Sequence, residues 1–277
     1  MKTERGTLKR ARTSGPPLYS SRVAGDEIAA VAGIVPGYGD YADRYEHVQR
    51  AWAERGIGSI AIDLRGHGRA EGPRGACKKW QEYLDDVDEL FALLNPFAAT
   101  KSIFLFGHSF GGLVAASWVL ARPNEQRGLL LSNPYMRVAL PVPAIKKTAG
   151  KIVSALLPGV GLAAGIKGAH LTHDEKLAKK YDEDPLVFKN ANARWFTESE
   201  RAQDDVMARA RDLTLPLYMV LGASDPVVSG GRELFEAAGS DDKKLDVREG
   251  LLHEVLNEPE WESIASAMAD WMKARAA

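Results

Sequence analysis

Residues 103–121 of this 277-residue chain read IFLFGHSFGGLVAASWVLA. The apolar beginning, Ile103 to Phe106, predicts a short buried strand, and the run from Phe110 to Ala121 is long enough for a helix. Between them Gly107-His108-Ser109-Phe110-Gly111 fits the pattern G-x-S-x-G. In that pattern a sharp strand-to-helix turn strains the serine backbone and exposes its hydroxyl group. A glycine turn with no catalytic role would also fit so short a pattern. The two interpretations can be distinguished only with the rest of the sequence.

Apolar strands and amphipathic helices alternate on both sides of this turn. The other strands are predicted at Ile28–Val35, Ser59–Leu64, Leu129–Leu131, Pro216–Leu221 and Leu245–Arg248, and the other helices at Ala42–Arg55, Lys79–Leu94, Gly231–Ala238 and from Glu258 onward. Continuous apolar strands joined by helices are typical of a parallel sheet covered on both faces. We therefore expect an α/β fold with a mostly parallel central sheet.

The alternation stops between Pro134 and Arg211, where helical patterns and prolines occur without a convincing strand. The simplest interpretation is a sheet domain that is interrupted by a helical cap. We expect a core of residues 1–133 and 212–277, with the cap at 134–211.

The first half of this cap, Val138 to Ile166, mixes apolar residues with Lys146, Lys147 and Lys151. Such a mixture suits contact with a membrane, where apolar groups enter the lipid and lysines meet anionic head groups. A cap that packs on the core with its lysines in water explains the same pattern. Both alternatives stay open, and in either one apolar cap residues would cover Ser109 and form an acyl pocket.

Within the cap, Thr172-His173-Asp174-Glu175 is predicted to open a helix as a capping box. Thr172 would cap the helix and Glu175 would reach back to it. A metal site here is the weaker interpretation, because His170, His173 and Asp174 are too few and too close in sequence for a zinc site.

A serine hydroxyl becomes a good nucleophile only with a histidine base that is held by a carboxylate. In a fold of this kind the order along the chain is serine, acid, histidine, each after a strand. Asp225 follows the strand that ends at Leu221, and His253 follows the last predicted strand. We therefore predict Ser109 as nucleophile, Asp225 as the acid and His253 as general base, with Glu254 as the rival acid.

The remaining candidates for the base fit less well. His47 lies within a predicted helix, His67 in a glycine-rich loop, and His108 inside the turn itself. Two backbone N–H groups should stabilise the oxyanion that forms during attack. We predict those of Phe110, after the nucleophile, and of Tyr38, in the loop after the strand that ends at Val35.

The composition of the chain argues against several other classes of protein. With 36 basic and 37 acidic residues the formal net charge is −1, which gives no reason to expect nucleic acid as a partner. Cys77 is the only cysteine, so neither an intramolecular disulfide nor a thiolate metal cluster is expected. The polar segment Met1–Pro17 has no apolar run typical of a signal peptide, and neither 102–121 nor 152–166 suits a membrane span. We expect a cytoplasmic protein that needs no cofactor.

Taken together, the sequence resembles the monoacylglycerol lipase and lysophospholipase branch of the α/β-hydrolases. The matching residues are Tyr38-Gly39-Asp40, Arg44-Tyr45, Asp63-Leu64-Arg65-Gly66-His67-Gly68, Gly72-Pro73-Arg74-Gly75, Gly107 to Gly112, Asp184-Pro185-Leu186, Ser224-Asp225-Pro226-Val227-Val228 and His253 to Glu258. The resemblance implies an α/β-hydrolase fold with a cap, and hydrolysis of lipid-like monoacyl esters, of monoacylglycerol or lysophospholipid type, through an acyl-enzyme on Ser109. Carried over by position, Asp225 and His253 complete the triad, and Tyr38 and Phe110 form the oxyanion hole.

The chain departs from this family at Pro36-Gly37, where the family usually has His-Gly, so the side-chain contact of that histidine is lost. A thioesterase, an aminopeptidase or a small-ester esterase on the same scaffold is the alternative, because substrate choice depends on the cap. A homologue that binds ligands without catalysis is a further one. The sequence leaves the oligomeric state open.

Overall fold

The computed structural model describes residues 1–122, 126–139, 161–163 and 165–276. The strands of this part are β1 Lys2–Leu8, β2 Leu18–Ala24, β3 Ala30–Val35, β4 Ile57–Asp63, β5 Ser102–His108, β6 Gly128–Ser132, β7 Arg137–Val138, β8 Gly161–Ala163, β9 Asn190–Asn192, β10 Leu217–Gly222, β11 Val228–Ser229 and β12 Lys243–Arg248. Its α-helices are α1 Glu46–Glu54, α2 Gln81–Ala98, α3 Phe110–Ala121, α4 Glu175–Glu183, α5 Ala193–Ala208, α6 Gly231–Ala237 and α7 Trp261–Lys273.

Eight of these strands form one sheet in the order β1-β2-β4-β3-β5-β6-β10-β12. The strands from β4 to β12 run parallel, whereas β1 pairs with β2, and β2 with β4, in antiparallel fashion. The predicted mostly parallel sheet is confirmed.

Helices cover both faces of the sheet. Alternate side chains of each strand point to opposite faces, so each strand contributes to two hydrophobic clusters. In β3, Val31 and Val35 belong to a hydrophobic cluster that includes α2 and α3. Ala32 and Ile34 belong to a second cluster, which includes α1 and α7. All four side chains are fully buried. The sequence pattern of uninterrupted apolar strands is thus explained by burial on two sides.

β1 and β2, which form the antiparallel edge of the sheet, were not predicted from the sequence. β1 is largely exposed, and only three residues of β2 are buried, Leu18, Ser21 and Val23. Strands that are this exposed to solvent carry no continuous run of apolar residues. The sequence pattern therefore does not predict them. The last helix was also placed too early, since α7 begins at Trp261 rather than at Glu258.

The expectation of no strand between Pro134 and Arg211 was wrong. The short strands β7, β8 and β9 occur there. β8 pairs with β9, and β7 pairs with β11, which lies after this segment. Strands of two or three residues are too short to show a period, so their pairing is decided by tertiary contacts. The division into core and cap stays a prediction. Most of the segment Val138–Ile166, with its three lysines, lies outside the described residues.

Part of the proposed cap packs directly on the core. Trp195, Ala202 and Val206 of α5 are buried in the same hydrophobic cluster as α3, the helix that follows Ser109. In the described part of the chain no helix is both long enough and apolar enough to cross a membrane.

The start of α4 differs from the predicted capping box. The N-cap is Asp174, whose carboxylate accepts the N–H groups of Lys176 and Leu177. Thr172 instead donates its hydroxyl to the carbonyl oxygen of Asn257 at 2.7 Å. The prediction of Thr172 as the cap was wrong. Its hydroxyl donates instead to Asn257, which lies after the last strand and is distant in sequence.

Candidate active site

Ser109 lies at a tight turn between β5 and α3, with φ of 52° and ψ of −119°. A positive φ is unfavourable for a residue with a side chain, so the surrounding structure must impose it. The flanking glycines allow the turn. A Cβ atom on Gly107 would lie 2.3 Å from the carbonyl oxygen of Gly111, and one on Gly111 would lie 2.1 Å from that of Val35. Only glycine fits either position.

The structure brings the three predicted triad residues together at the carboxyl edge of the sheet. Nε2 of His253 lies 2.9 Å from Oγ of Ser109, and Nδ1 of His253 lies 2.7 Å from Oδ2 of Asp225. A carboxylate only accepts, so Nδ1 carries the proton and Nε2 is left to accept the serine hydroxyl. This arrangement has the geometry of a Ser-His-Asp triad.

The second oxygen of Asp225 is also occupied. Oδ1 accepts the backbone N–H groups of Val227 at 2.7 Å and Val228 at 3.2 Å. The carboxylate can therefore not rotate freely, and the side chains of Asp225 and His253 are both about 95% buried. The acid is held in one orientation towards the imidazole.

The loop that carries Tyr38 lies against Ser109. A Cβ atom on Gly37 would lie 3.5 Å from Cβ of Ser109. Among the backbone hydrogen bonds of the described residues, none is donated by the N–H of Tyr38 or of Phe110. Two donors without a backbone acceptor near the nucleophile suit an oxyanion hole. This assignment stays a prediction.

The side chain of Tyr38 is fixed by its neighbours. Its hydroxyl lies 3.0 Å from the carbonyl oxygen of Gly75 and 3.1 Å from that of Asn190. Its ring centroid lies 3.8 Å from that of Trp195 and 5.6 Å from that of Phe110. Burial raises the pKa of Tyr38. The aromatic side chain thus holds in place the loop that contains Pro36-Gly37.

Glu254, the rival acid, is bound to another partner. Its two carboxylate oxygens accept from Arg44 at 2.9 and 2.7 Å, and Arg44 also contacts Asp40 at 2.9 Å. Burial by itself would raise the pKa of Glu254, but the Arg44 guanidinium outweighs it and holds the pKa at about 2. Glu254 is therefore an ionised partner of Arg44 that ties the loop of His253 to the loop of Tyr38.

Glu258 also holds the loop that carries His253. This role was not predicted from the sequence. Its fully buried carboxylate accepts the N–H groups of Leu252 at 2.7 Å and of His173 at 2.8 Å. Nδ1 of His173 lies 3.0 Å from the same carboxylate. His173 therefore links the residues before α4 to the loop of His253.

The histidine within the turn, His108, is a neighbour of the base. Its ring centroid lies 4.9 Å from that of His253, and its Nδ1 lies 3.1 Å from Oγ of Ser132. Burial lowers the pKa of His108 to about 3. The ring therefore stays neutral beside the base. His47 makes other contacts, with Nε2 at 2.7 Å from the carbonyl oxygen of Leu256 and its ring centroid 4.6 Å from that of Trp261.

His67 is buried in an aromatic cluster. Its ring lies parallel to that of Phe110, with centroids 6.2 Å apart, and its Nδ1 lies 2.9 Å from the carbonyl oxygen of Arg65. Its Nε2 is buried and has no hydrogen-bond partner among the described residues. Burial lowers the pKa of His67 to about 4.

The buried neutral state of His67 predicts an acid-sensitive stability. A histidine whose pKa is lower in the folded than in the unfolded state stabilises the fold above pH 6.5 and loses this contribution as the pH falls towards 4. We expect the free energy of unfolding of His67→Asn to fall less between pH 7 and 4.5 than that of the wild type, by about 2 kcal/mol. Urea unfolding at both pH values measures it, with His170→Asn, at an exposed histidine, as the matched control. Equal losses in wild type and His67→Asn would contradict the assignment.

Known proteins share this architecture over most of the chain. The sequence model of the family described as serine aminopeptidase, S33, also called Hydrolase_4, matches residues 26–260. Phospholipase YtpA of Bacillus subtilis is 29% identical over 246 residues, which are 87% of this chain and 94% of that protein. Monoacylglycerol lipase of Mycolicibacterium smegmatis is 29% identical over 242 residues, 86% of each protein.

Among solved structures, the chain is similar to a monoacylglycerol lipase of Paleococcus ferrophilus. The TM-score is 0.85 and the identity 26%, over 94% of this chain and 99% of that one. The family model covers well over half of the chain. The chain therefore belongs to the serine aminopeptidase S33 (Hydrolase_4) family of α/β-hydrolases.

Proposed function

We propose that this chain is a serine hydrolase that cleaves the carboxylic ester of lipid-like substrates with one acyl chain. The observation that carries this proposal is the continuous hydrogen-bonded line from Asp225 through His253 to Ser109. With Nδ1 of His253 protonated, Nε2 would accept the proton of a serine hydroxyl at a strained turn, which supports nucleophilic attack by Ser109.

In the proposed reaction Oγ of Ser109 attacks the ester carbonyl carbon while Nε2 of His253 accepts the hydroxyl proton. The N–H groups of Tyr38 and Phe110 stabilise the oxyanion, and each such donor is worth about 3 kcal/mol. When the intermediate collapses, the alcohol leaves with the proton from His253. Water then gives a proton to His253 and attacks the acyl carbon. As the bond to Oγ of Ser109 breaks, His253 returns this proton to Oγ, which releases the carboxylic acid and restores Ser109.

An apolar wall beside the nucleophile supports an acyl substrate. The N–H of Tyr135 donates to the carbonyl oxygen of Ser109 at 2.9 Å, and the Tyr135 ring stacks on Trp195 with centroids 5.8 Å apart. Trp195 in turn contacts Tyr38 and Phe110. A group of four aromatic side chains favours a substrate with a hydrophobic acyl chain over a charged substrate.

The relatives support an ester rather than a peptide, although their family is described as serine aminopeptidase. The relatives named above are a phospholipase and monoacylglycerol lipases. An aminopeptidase would use the same triad, because ester and amide cleavage share the acyl-transfer step. The family description makes aminopeptidase activity the second candidate, and aminoacyl p-nitroanilides test it.

We expect kcat/KM for p-nitrophenyl esters to rise severalfold per two carbons from acetyl to octanoyl. Each buried CH₂ gains about 0.8 kcal/mol, so the rate should rise until the acyl pocket is full. Initial rates below the critical micelle concentration give the series, with monoacylglycerols, lysophospholipids and p-nitroanilides measured alongside.

A matched pair of variants links this trend to the aromatic wall. Trp195→Ala should flatten the dependence on chain length, whereas Trp271→Ala should keep it, since Trp271 is as buried but lies in the cluster on the opposite face. A steady fall in kcat/KM from acetyl to octanoyl would sink the lipid proposal and point to a small-ester hydrolase.

A further inference from the structure

Asn133 occupies an unusual place between the strands that carry the triad. It follows β6 with a positive φ of 38° and is 98% buried. Its backbone N–H donates to the carbonyl oxygen of Val220 in β10 at 3.0 Å. The residue before it, Ser132, accepts the N–H of Ser109 at 2.9 Å. The backbone of Asn133 thus lies between the nucleophile turn and the strand that leads to Asp225.

The side-chain amide joins the two loops that carry the acid and the base. Oδ1 accepts the N–H of Gly222, three residues before Asp225, at 3.0 Å. Nδ2 donates to the carbonyl oxygens of His253 at 2.5 Å and of Leu252 at 3.2 Å. The amide orientation is unambiguous, because the reverse would place its oxygen against two carbonyl oxygens.

The loops on either side leave little room for a different arrangement. A Cβ atom on Gly222 would lie 2.1 Å from the carbonyl oxygen of Leu252. The N–H of Ser224, next to Asp225, donates to the carbonyl oxygen of Leu251 at 3.0 Å. The two loops are therefore in backbone contact, and the Asn133 amide binds both at the point of contact.

We propose that Asn133 is a positioning residue, which sets the backbone of His253 relative to the strand before Asp225 and so fixes the imidazole between Ser109 and Asp225. Its side chain touches none of the reacting atoms. This inference rests on the proposed role of the triad, and its consequence is a loss of turnover rather than of substrate binding.

The sharpest test is Asn133→Asp. One carboxylate oxygen can still accept from Gly222, but the other faces the carbonyl oxygens of His253 and Leu252 and repels them. Since a displacement of about 1 Å can cost about 100-fold in rate, we expect kcat to fall by about 100-fold with little change in KM. As the pH falls, the new carboxyl can take up a proton and donate again. The ratio of variant to wild-type kcat should therefore rise towards low pH.

Gln49→Glu is the matched control. Gln49 is fully buried in α1, and its Nε2 also donates to two carbonyl oxygens, those of Ser21 at 3.1 Å and Ser59 at 3.4 Å. The substitution makes the same change from amide to carboxylate away from the triad. We expect it to lower the melting temperature while kcat of the folded enzyme and its pH profile stay those of the wild type.

The rate at which a fluorophosphonate probe labels Ser109 separates this inference from the proposed substrate. If the wild type is labelled but does not cleave monoacyl esters, the substrate proposal fails. The labelling rates of the variants then still test the positioning role of Asn133. If Asn133→Asp does not fold, Asn133→Gly, which tolerates the positive φ, removes the amide instead. Labelling of the folded variant at the wild-type rate would overturn the positioning role.

Discussion

We expect the Ser109→Ala variant to fold like the wild type and to lose ester hydrolysis by on the order of 10⁶-fold in kcat, as serine proteases do without their nucleophile. The substitution removes only Oγ, the atom 2.9 Å from Nε2 of His253. Alanine has the same Cβ as serine, so the strain of the turn at φ 52° does not change. Circular dichroism and thermal unfolding establish the fold, and a p-nitrophenyl ester assay measures the loss.

Ser117→Ala provides the control for this experiment. Ser117 lies on α3, the helix that follows Ser109, and is 94% buried. In the described part of the chain its hydroxyl has no hydrogen-bond partner. Removal of Oγ from Ser117 should leave turnover and labelling by a fluorophosphonate unchanged. Should a folded Ser109→Ala keep more than a small fraction of the wild-type rate, or still react with the probe, another residue must be the nucleophile.

Asp225→Asn should lower kcat by about 10⁴-fold, by analogy with the serine proteases. The amide nitrogen of asparagine would donate to Nδ1 of His253, which moves the imidazole proton to Nε2. In that tautomer Nε2 cannot accept the hydroxyl proton of Ser109, although the distances hardly change. The variant should therefore bind substrate with a nearly unchanged KM and fail in the chemical step.

Glu254→Gln makes the same change one residue from the base and serves as the comparison. It breaks the buried pair with Arg44, so it should destabilise the fold, and breaking such pairs costs about 3–5 kcal/mol. It leaves the hydrogen bond between Asp225 and His253 in place. Thermal unfolding and kcat, measured on both variants, separate the two roles. An inactive but folded Glu254→Gln beside an active Asp225→Asn would show that the triad has been misassigned.

Much of this molecule could be predicted from short stretches of sequence. The turn at Ser109 requires glycine on both sides, and this steric demand appears within five residues. The inner parallel strands β3, β6 and β10 are largely apolar because both of their faces are buried, which is a local pattern as well. Asp225 and His253 were predicted because each follows a predicted strand, and in a parallel sheet the carboxyl ends of the strands meet at one edge. Their catalytic roles stay predictions.

The partners of these side chains could only be found in the tertiary structure. The edge strands β1 and β2 pair through backbone atoms and need few apolar side chains, so their sequences look polar. Glu254 pairs with Arg44, which lies 210 positions away in the chain. The amide of Asn133 joins loops that are 89 and 120 residues away. Contacts over such distances leave no periodic pattern in the sequence, because they arise only when the strands and loops have packed together.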